Sequence, residues 1–217
     1  MPPVILLFAK APSPGRVKTR LQPVLSPEQC SELHSSFVGD VLESLIGFTG
    51  LADVEVHLDQ ETSAWPEFSF PRKLQSGADL GEKMWNAAHN AFEQGRTQVM
   101  ILGSDAPTLP PDYLKALLAS QADIAFGPSI DGGYYAVQFR KLPPNLFDGV
   151  QWSTDQALDQ SIKAAENLGL SVELGLTWYD IDSPADLVRL VTEESPRRTK
   201  AWLKANHFLV DPPIRNI

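Results

Sequence analysis

The chain has one cysteine, Cys30, in 217 residues. No disulfide can form within it, and the surrounding pattern is helical, where a lone thiol packs as a small hydrophobe. Long apolar runs are missing too. The first run, Val4-Ile5-Leu6-Leu7, has no preceding cation and is too short for a signal peptide. No stretch reaches the ~18 apolar residues of a membrane span. Positive charge is scarce: 18 Lys and Arg against 27 Asp and Glu leave a net −9. That balance argues against the broad basic face a nucleic-acid backbone demands. His34, His57, His89 and His207 show no metal spacing and read as ordinary residues. Neither G-x-x-x-x-G-K-[ST] nor G-x-G-x-x-G occurs. These absences predict a cytoplasmic protein with no membrane and no nucleic-acid partner.

What is present is a globular share of hydrophobic residues, 43%, at a length that suits one domain over residues 1–217. Residues 4–9 read as a buried strand. Ser26, Pro27 and Gln29 form a cap, first-turn and capping-box set before a helix whose apolar face is Cys30, Leu33, Phe37, Val41 and Leu45. Strands are predicted at 53–59, in "TQVMILGSD", in "DIAFGP", at 134–139, in "SVELG" and in "WYDI". Helices are predicted in "QSGADLGEKMWNAAHNAFEQG", "PPDYLKALLAS", "STDQALDQSIKAAENLG" and "SPADLVRLVTE". The basic segment "PRRTKAWLK" reads as a solvated helix face. Strands alternate with helices and two strands are apolar on both faces. The pattern predicts an α/β fold with a mostly parallel sheet covered by helices.

Ligands in such folds bind beyond the carboxyl ends of strands. The segments just after strands, 10–20, 103–109, 128–133 and 180–183, hold most of the unusual residues. Lys10, Arg16, Lys18 and Arg20 crowd the first, stiffened by Pro12 and Pro14. In an extended segment Lys18 and Arg20 share a face and Arg16 does not. Stiff cations suit a di- or triphosphate; the bland reading is a solvated loop. Asp105, at the end of a buried strand after Gly103 and Ser104, suits a Mg²⁺ or Mn²⁺ ion that takes one or two carboxylates and phosphate oxygens; otherwise it is a helix cap. Asp180 and Asp182 share a face of an extended piece. Asp182 is left free by the Ser183 cap and reads either as a second metal ligand or as a surface charge near a helix N-terminus. Asp131, Gly132, Gly133 and Tyr134 read as a hairpin turn, or as a backbone that approaches a substrate closely. Trp152, before Ser153 and Thr154, reads as core or as a stacking platform.

The motifs "LLFAKAPSPGRVKTRL", "QSGADLGEKM", "LGSDAP", "GPSIDGGYYAV", "WSTDQAL" and "DIDSPADL" occur in one order. Together they resemble a bacterial family of uncharacterised glycosyltransferase-A-like proteins, some of them assigned to arsenosugar biosynthesis. The resemblance covers residues 4 to 190. The opening "VKTRLQPVLSPEQ" is also similar to that of the 2-phospho-lactate guanylyltransferases. The resemblance implies a nucleotide-diphospho-sugar transferase (GT-A, Rossmann-like) fold with a mixed central sheet and helices on both faces. It implies nucleotide contacts from Ala9, Lys10, Gly15, Lys18, Arg20, Gly77, Asp79, Leu80 and Gly81, and metal contacts from Asp105 and Asp182. The candidate substrate residues are Asp131, which precedes the Gly132-Gly133 pair, with Gly132, Gly133, Tyr134, Trp152, Ser153 and Thr154.

Gly103 stands where glycosyltransferases of this fold often have the first aspartate of D-x-D, which leaves Asp105 alone and favours nucleotidyltransferases. Against that, a loop with one glycine and two prolines offers few backbone N–H groups to a triphosphate. The sequence reading therefore puts a Mg²⁺- or Mn²⁺-dependent glycosyltransferase first, acting on a nucleotide sugar and a small-molecule acceptor, with Lys18 and Asp131 as catalytic residues. Nucleotidyl transfer from a nucleoside triphosphate to a phosphorylated small molecule is the alternative, and a nucleotide-binding protein without turnover the third.

Overall fold

Every residue of the first strand, β1 (Val4–Ala9), is buried, and its side chains alternate between two cores. Ile5, Leu7 and Ala9 face one hydrophobic cluster, with Val38, Leu42 and Leu45 of helix α1 (Pro27–Ile46). Val4, Leu6 and Phe8 face another, with Met84, Ala87 and Ala88 of helix α2 (Leu80–Glu93). A strand apolar on both faces needs helices on both faces, and it has them. The structure is a computed structural model and describes residues 1–209.

The remaining strands are β2 (Asp53–Leu58), β3 (Arg72–Leu74), β4 (Val99–Gly103), β5 (Ile124–Pro128), β6 (Tyr134–Phe139) and β7 (Val172–Leu174). They form one sheet in the order β3-β2-β1-β4-β6-β5-β7. Only β6 runs antiparallel to its neighbours. The chain winds outward from β1 to β3, then returns to lay β4 on the other side of β1. That reversal makes the β1/β4 border a topological switch point, where a crevice opens beyond the strand ends. Helices α3 (Pro111–Ala119) and α4 (Ala157–Asn167) add to the two cores. A third cluster joins α1 to α5 (Pro184–Thr192) and α6 (Arg197–Ala205), with Cys30 buried in it. No helix among the described residues is long and apolar enough to cross a membrane.

The caps read from the sequence are present. Ser26 and Gln29 close a capping box on α1, and Ser183 and Asp186 close another on α5. Four elements differ from expectation. The segment "WYDI" is no strand beyond a single bridge from Trp178 to Ser129. Its backbone is taken by the crevice instead: Ile181 N donates to the Asp105 carbonyl, and the Ile181 carbonyl accepts from Lys18. Helix α4 starts only at Ala157, because Ser153 sits in the left-handed region at φ 62°. Strand β3 lies in a stretch read as loop; three residues are too few for periodicity to show. The basic helix α6 is not simply solvated. Trp202 and Leu203 are buried, and Asp40 of α1 accepts from the Arg198 N–H and from both the N–H and hydroxyl of Thr199.

Candidate functional site

The loop after β1 is not extended. Lys18 adopts the left-handed conformation, φ 47°, and Thr19–Leu21 form a short 3₁₀ turn. Such a backbone costs a β-carbon-bearing residue about 1 kcal/mol or more and persists only where its surroundings hold it. Three bonds do so. Lys18 Nζ donates to Asp105 Oδ1 at 2.6 Å, to Asp182 Oδ1 at 2.7 Å and to the Ile181 carbonyl at 2.8 Å. An ammonium has three hydrogens, so all its donors are used. The Lys18 side chain is only 4% exposed, and its Nζ also lies over the Phe37 ring at 5.5 Å. Lys18 and Arg20 therefore do not share a face: one is tucked in, the other exposed. The turn breaks the alternation on which the shared face depended.

Asp105 follows β4 and Asp182 precedes α5, so the two carboxylates meet at the same end of the sheet. Burial opposes the Lys18 charge, but Asp105 and Asp182 outweigh it and hold its pKa above the ordinary value. Burial likewise pushes Asp105 up, and Lys18, with His34, outweighs that and holds it below the usual carboxylate range. Asp180 goes the other way. Burial, then the charges of Asp105 and Asp131, push it up to about 7. Ser129 Oγ donates to its Oδ2 at 3.1 Å.

Lys18, Asp105 and Asp182 border a cavity of about 600 Å³ beyond the strand ends, a size that suits a small-molecule site. Lys10, Arg16, Lys18 and Arg20 line it from the loop after β1. Asp105, Asp131, Asp155 and Asp182 line it from segments beyond β4. Ala9, Leu80, Gly133, Tyr134, Trp152, Ser153 and Thr154 complete the set of expected residues that the fold brings together there. Lys10, Arg16 and Arg20 have no ion-pair partner among the described residues; Arg16 donates to the Gln60 side chain at 2.9 Å.

The family model described as "Uncharacterized protein conserved in bacteria (DUF2064)" matches residues 48–154. The 2-phospho-L-lactate guanylyltransferase of Methanocella arvoryzae is 30% identical over 181 residues, 80% of this chain and 74% of that protein. The one from Methanosarcina barkeri is 28% identical over 181 residues, 82% of each chain. A crystal structure from Desulfovibrio desulfuricans G20, provisionally classed as a nucleotide-diphospho-sugar transferase, is 31% identical with a TM-score of 0.84, over 97% of this chain and all of that one. The chain belongs to one family with the Desulfovibrio desulfuricans and Methanocella arvoryzae proteins and is homologous to the guanylyltransferases. The family fold is that of the nucleotide-diphospho-sugar transferases. A CMP:2-keto-3-deoxy-manno-octonic acid synthetase complexed with CTP shares that fold at a TM-score of 0.59 and 15% identity, over 88% of this chain and 97% of its own.

Five of the expected residues of this family member do not line the cavity, and most of them have local work. Asp79 caps α2, its Oδ1 accepting from the Glu82 N–H at 2.9 Å. Gly77 has φ +143°, and a β-carbon there would lie 2.7 Å from the Lys83 nitrogen. Gly81 packs under Trp152 and Phe147, 2.9 Å from where its β-carbon would be. Gly132, at φ +87°, meets the Asp155 carbonyl backbone at 2.1 Å from a would-be β-carbon; it anchors the β5–β6 hairpin against the 152–155 loop. Gly15, at φ +76°, is exposed with open space around it.

Two residues were read from the sequence without being assigned to the site. His34 is 3% exposed and borders the cavity. Its Nε2 is 2.9 Å from the Lys10 carbonyl, which only accepts, so that nitrogen carries the hydrogen. Nδ1 is buried without a partner among the described residues, and burial holds the ring below its ordinary pKa. A helical histidine with no metal spacing gives no signal in the sequence. Asp180 carried a weak one, its two-residue spacing from Asp182.

Proposed function

We propose that this protein is a nucleotidyltransferase. It moves a nucleoside monophosphate from a nucleoside triphosphate to the phosphate of a small molecule and releases pyrophosphate. The observation that carries the reading is the loop after β1: three cations without ion-pair partners, Lys10, Arg16 and Arg20, share one cavity with the Lys18-bridged carboxylates. Homology to guanylyltransferases over four-fifths of the chain supports it.

This reverses the order given by sequence alone. That order rested on a shortage of phosphate-binding groups in a loop with one glycine. Arg16 was set aside there, yet it lines the cavity, so side chains supply what backbone N–H groups do not.

In the reaction, a phosphate oxygen of the acceptor attacks the α-phosphorus. The bond from that phosphorus to the bridging oxygen breaks, and its electron pair leaves with pyrophosphate. Lys10, Arg16 and Arg20 neutralise the triphosphate and the departing pyrophosphate, an electrostatic contribution that grows as charge moves onto the leaving group. Lys18 is a positioning residue, since its three donors already hold Asp105, Asp182 and Ile181. Asp131 contacts the acceptor.

Asp105 and Asp182 fit a divalent ion by their donor set. Their side chains remain 45% and 37% exposed although one oxygen of each faces Lys18, and two carboxylates with phosphate oxygens are a usual Mg²⁺ shell. No group of three His, Cys, Asp or Glu residues gathers among the described residues, so such an ion depends on the phosphates for the rest of its ligands. Mg²⁺ or Mn²⁺ bound there supplies Lewis-acid polarisation of the phosphoryl oxygens.

Incubation with each nucleoside triphosphate, Mg²⁺ and a pool of phosphorylated small molecules tests the reading. Pyrophosphate release that is lost in Asp105→Ala is the expected result. Turnover of a nucleotide sugar without pyrophosphate would favour glycosyl transfer instead, the second reading. The Desulfovibrio desulfuricans relative, classed with the nucleotide-diphospho-sugar transferases, is what favours that reading.

A further inference from the structure

Charge in the cavity is sorted by position in the chain. Among the described residues, all its lysines and arginines lie within residues 10–20, and His34 is its only histidine. Among the described residues, all its carboxylates come from residue 105 onward, and that wall holds no cation. Lys18 compensates Asp105 and Asp182. Asp131 and Asp155 have no ion-pair partner among the described residues. Asp131 accepts from the Gly133 N–H at 3.0 Å through one oxygen, and both residues are exposed to the cavity. The rings of Tyr134 and Trp152, 6.4 Å apart and edge to face, line the same cavity. The Gly132 backbone locks the two aspartate-bearing loops together, and Leu158 N donates to its carbonyl at 3.0 Å.

The side chains that can neutralise a triphosphate lie along the cationic wall, and a divalent ion at Asp105 and Asp182 would serve the same phosphates, so the acceptor is left with Asp131 and Asp155. We infer that the acceptor carries hydroxyl or ammonium donors beyond its phosphate, and no second anionic group. This rests on the nucleotidyltransferase reading and adds the acceptor class. A carboxylate on the acceptor would meet Asp131 and Asp155, with no cation among the described residues to offset them. Hydroxyls would donate to both. An ammonium would gain the two charges and the face of Trp152 as well. The acceptors of the homologous guanylyltransferases are named as 2-phospho-L-lactate, which has a carboxylate beside its phosphate. The inference thus separates this chain from them by substrate.

Calorimetric binding to the full chain, with Mg²⁺ and a non-hydrolysable nucleoside triphosphate analogue, tests it without requiring turnover. The probes are 2-phospholactate, glycerol 3-phosphate and phosphoethanolamine. The carboxylated probe should bind about tenfold more weakly than the better of the other two, the scale of one like-charge contact in a partly solvated site. The two other arms tell hydroxyl from ammonium recognition. In the double variant Asp131→Asn with Asp155→Asn, the gap should close to within about threefold. Equal or tighter binding of 2-phospholactate to the native protein overturns the inference, and so does an unchanged gap in the variant. The expected order of binding without pyrophosphate release in the parallel assay would sink the nucleotidyltransferase reading and leave the wall's selectivity standing.

Discussion

The cationic wall of the cavity is one loop of eleven residues, whereas the acidic wall is gathered from four segments spread between residues 105 and 182. The first is held by its own turn and by a single inward lysine. The second is held by the sheet, which brings the ends of β4, β5 and the start of β6 to one edge. The difference separates two ways of making a charged surface. A contiguous loop fixes its charges by local backbone geometry and remains sensitive to one residue. A distributed wall is fixed by topology and tolerates single losses better.

Lys18 belongs by sequence to one wall and by contact to the other, so its removal is the hardest test of that contrast. Lys18→Met should cost about 2–3 kcal/mol of stability in denaturant unfolding. That lies below the ~3–5 kcal/mol for breaking a fully buried pair, because Asp105 and Asp182 remain partly open to water. No single carboxylate on the distributed wall should cost as much; if Asp182→Asn does, the contrast fails.

A smaller effect is expected from the exposed cations. Arg20→Ala and Arg16→Ala should each leave unfolding unchanged and weaken nucleoside triphosphate binding by about 1.5 kcal/mol, the scale of a charge-assisted hydrogen bond. Equal losses for a nucleoside without phosphates would show that the loop does not read phosphate.

The smallest belongs to Asp180, behind the acidic wall. Its carboxyl titrates near 7 in the folded chain, against an ordinary value of 3.8. Between these values the folded state holds a proton that the unfolded state has released. Stability therefore falls as pH rises from about 4 to about 7. In metal-free buffer at pH 8, Asp180→Asn should be more stable than the native chain by about 1 kcal/mol, a discounted figure given that one pKa unit is worth about 1.4 kcal/mol. At pH 4 the two should coincide. Parallel pH profiles would show that Asp180 is not the group responsible.

The same division governs what could be read in advance. Apolar runs, capping boxes and the alternation of strands with helices made the sheet and most helices legible. The cations at 10–20 were legible as a set because they are neighbours. Their individual roles were not. The left-handed backbone at Lys18 comes from contacts with Asp105, Asp182 and Ile181, and no local pattern around a lysine announces it. Asp105 and Asp182 stood out singly, since each follows a buried or extended stretch. That one ammonium joins them is a property of the β1/β4 crossover. His34 was invisible because its environment, the Lys10 carbonyl on one side and the cavity on the other, belongs to tertiary structure alone. Glycines 77 and 81 were expected to contact nucleotide, and Gly132 was read as a hairpin turn or a ligand approach; each is small to admit neighbouring protein atoms, a fact that requires the neighbours.

The bonds from Lys18 to Ile181 and Asp182 span 163 and 164 positions. Few links in the chain close a longer loop, and such closures come late because the intervening residues must first collapse. On a ribosome, the loop after β1 emerges early and waits through the synthesis of six further strands for its counter-charges. Until residue 182 arrives, the left-handed turn at Lys18 lacks two of the three bonds that hold it. The cavity is therefore complete only once residue 182 has been made, and a product that stops short of it carries the cations without the clasp that orders them.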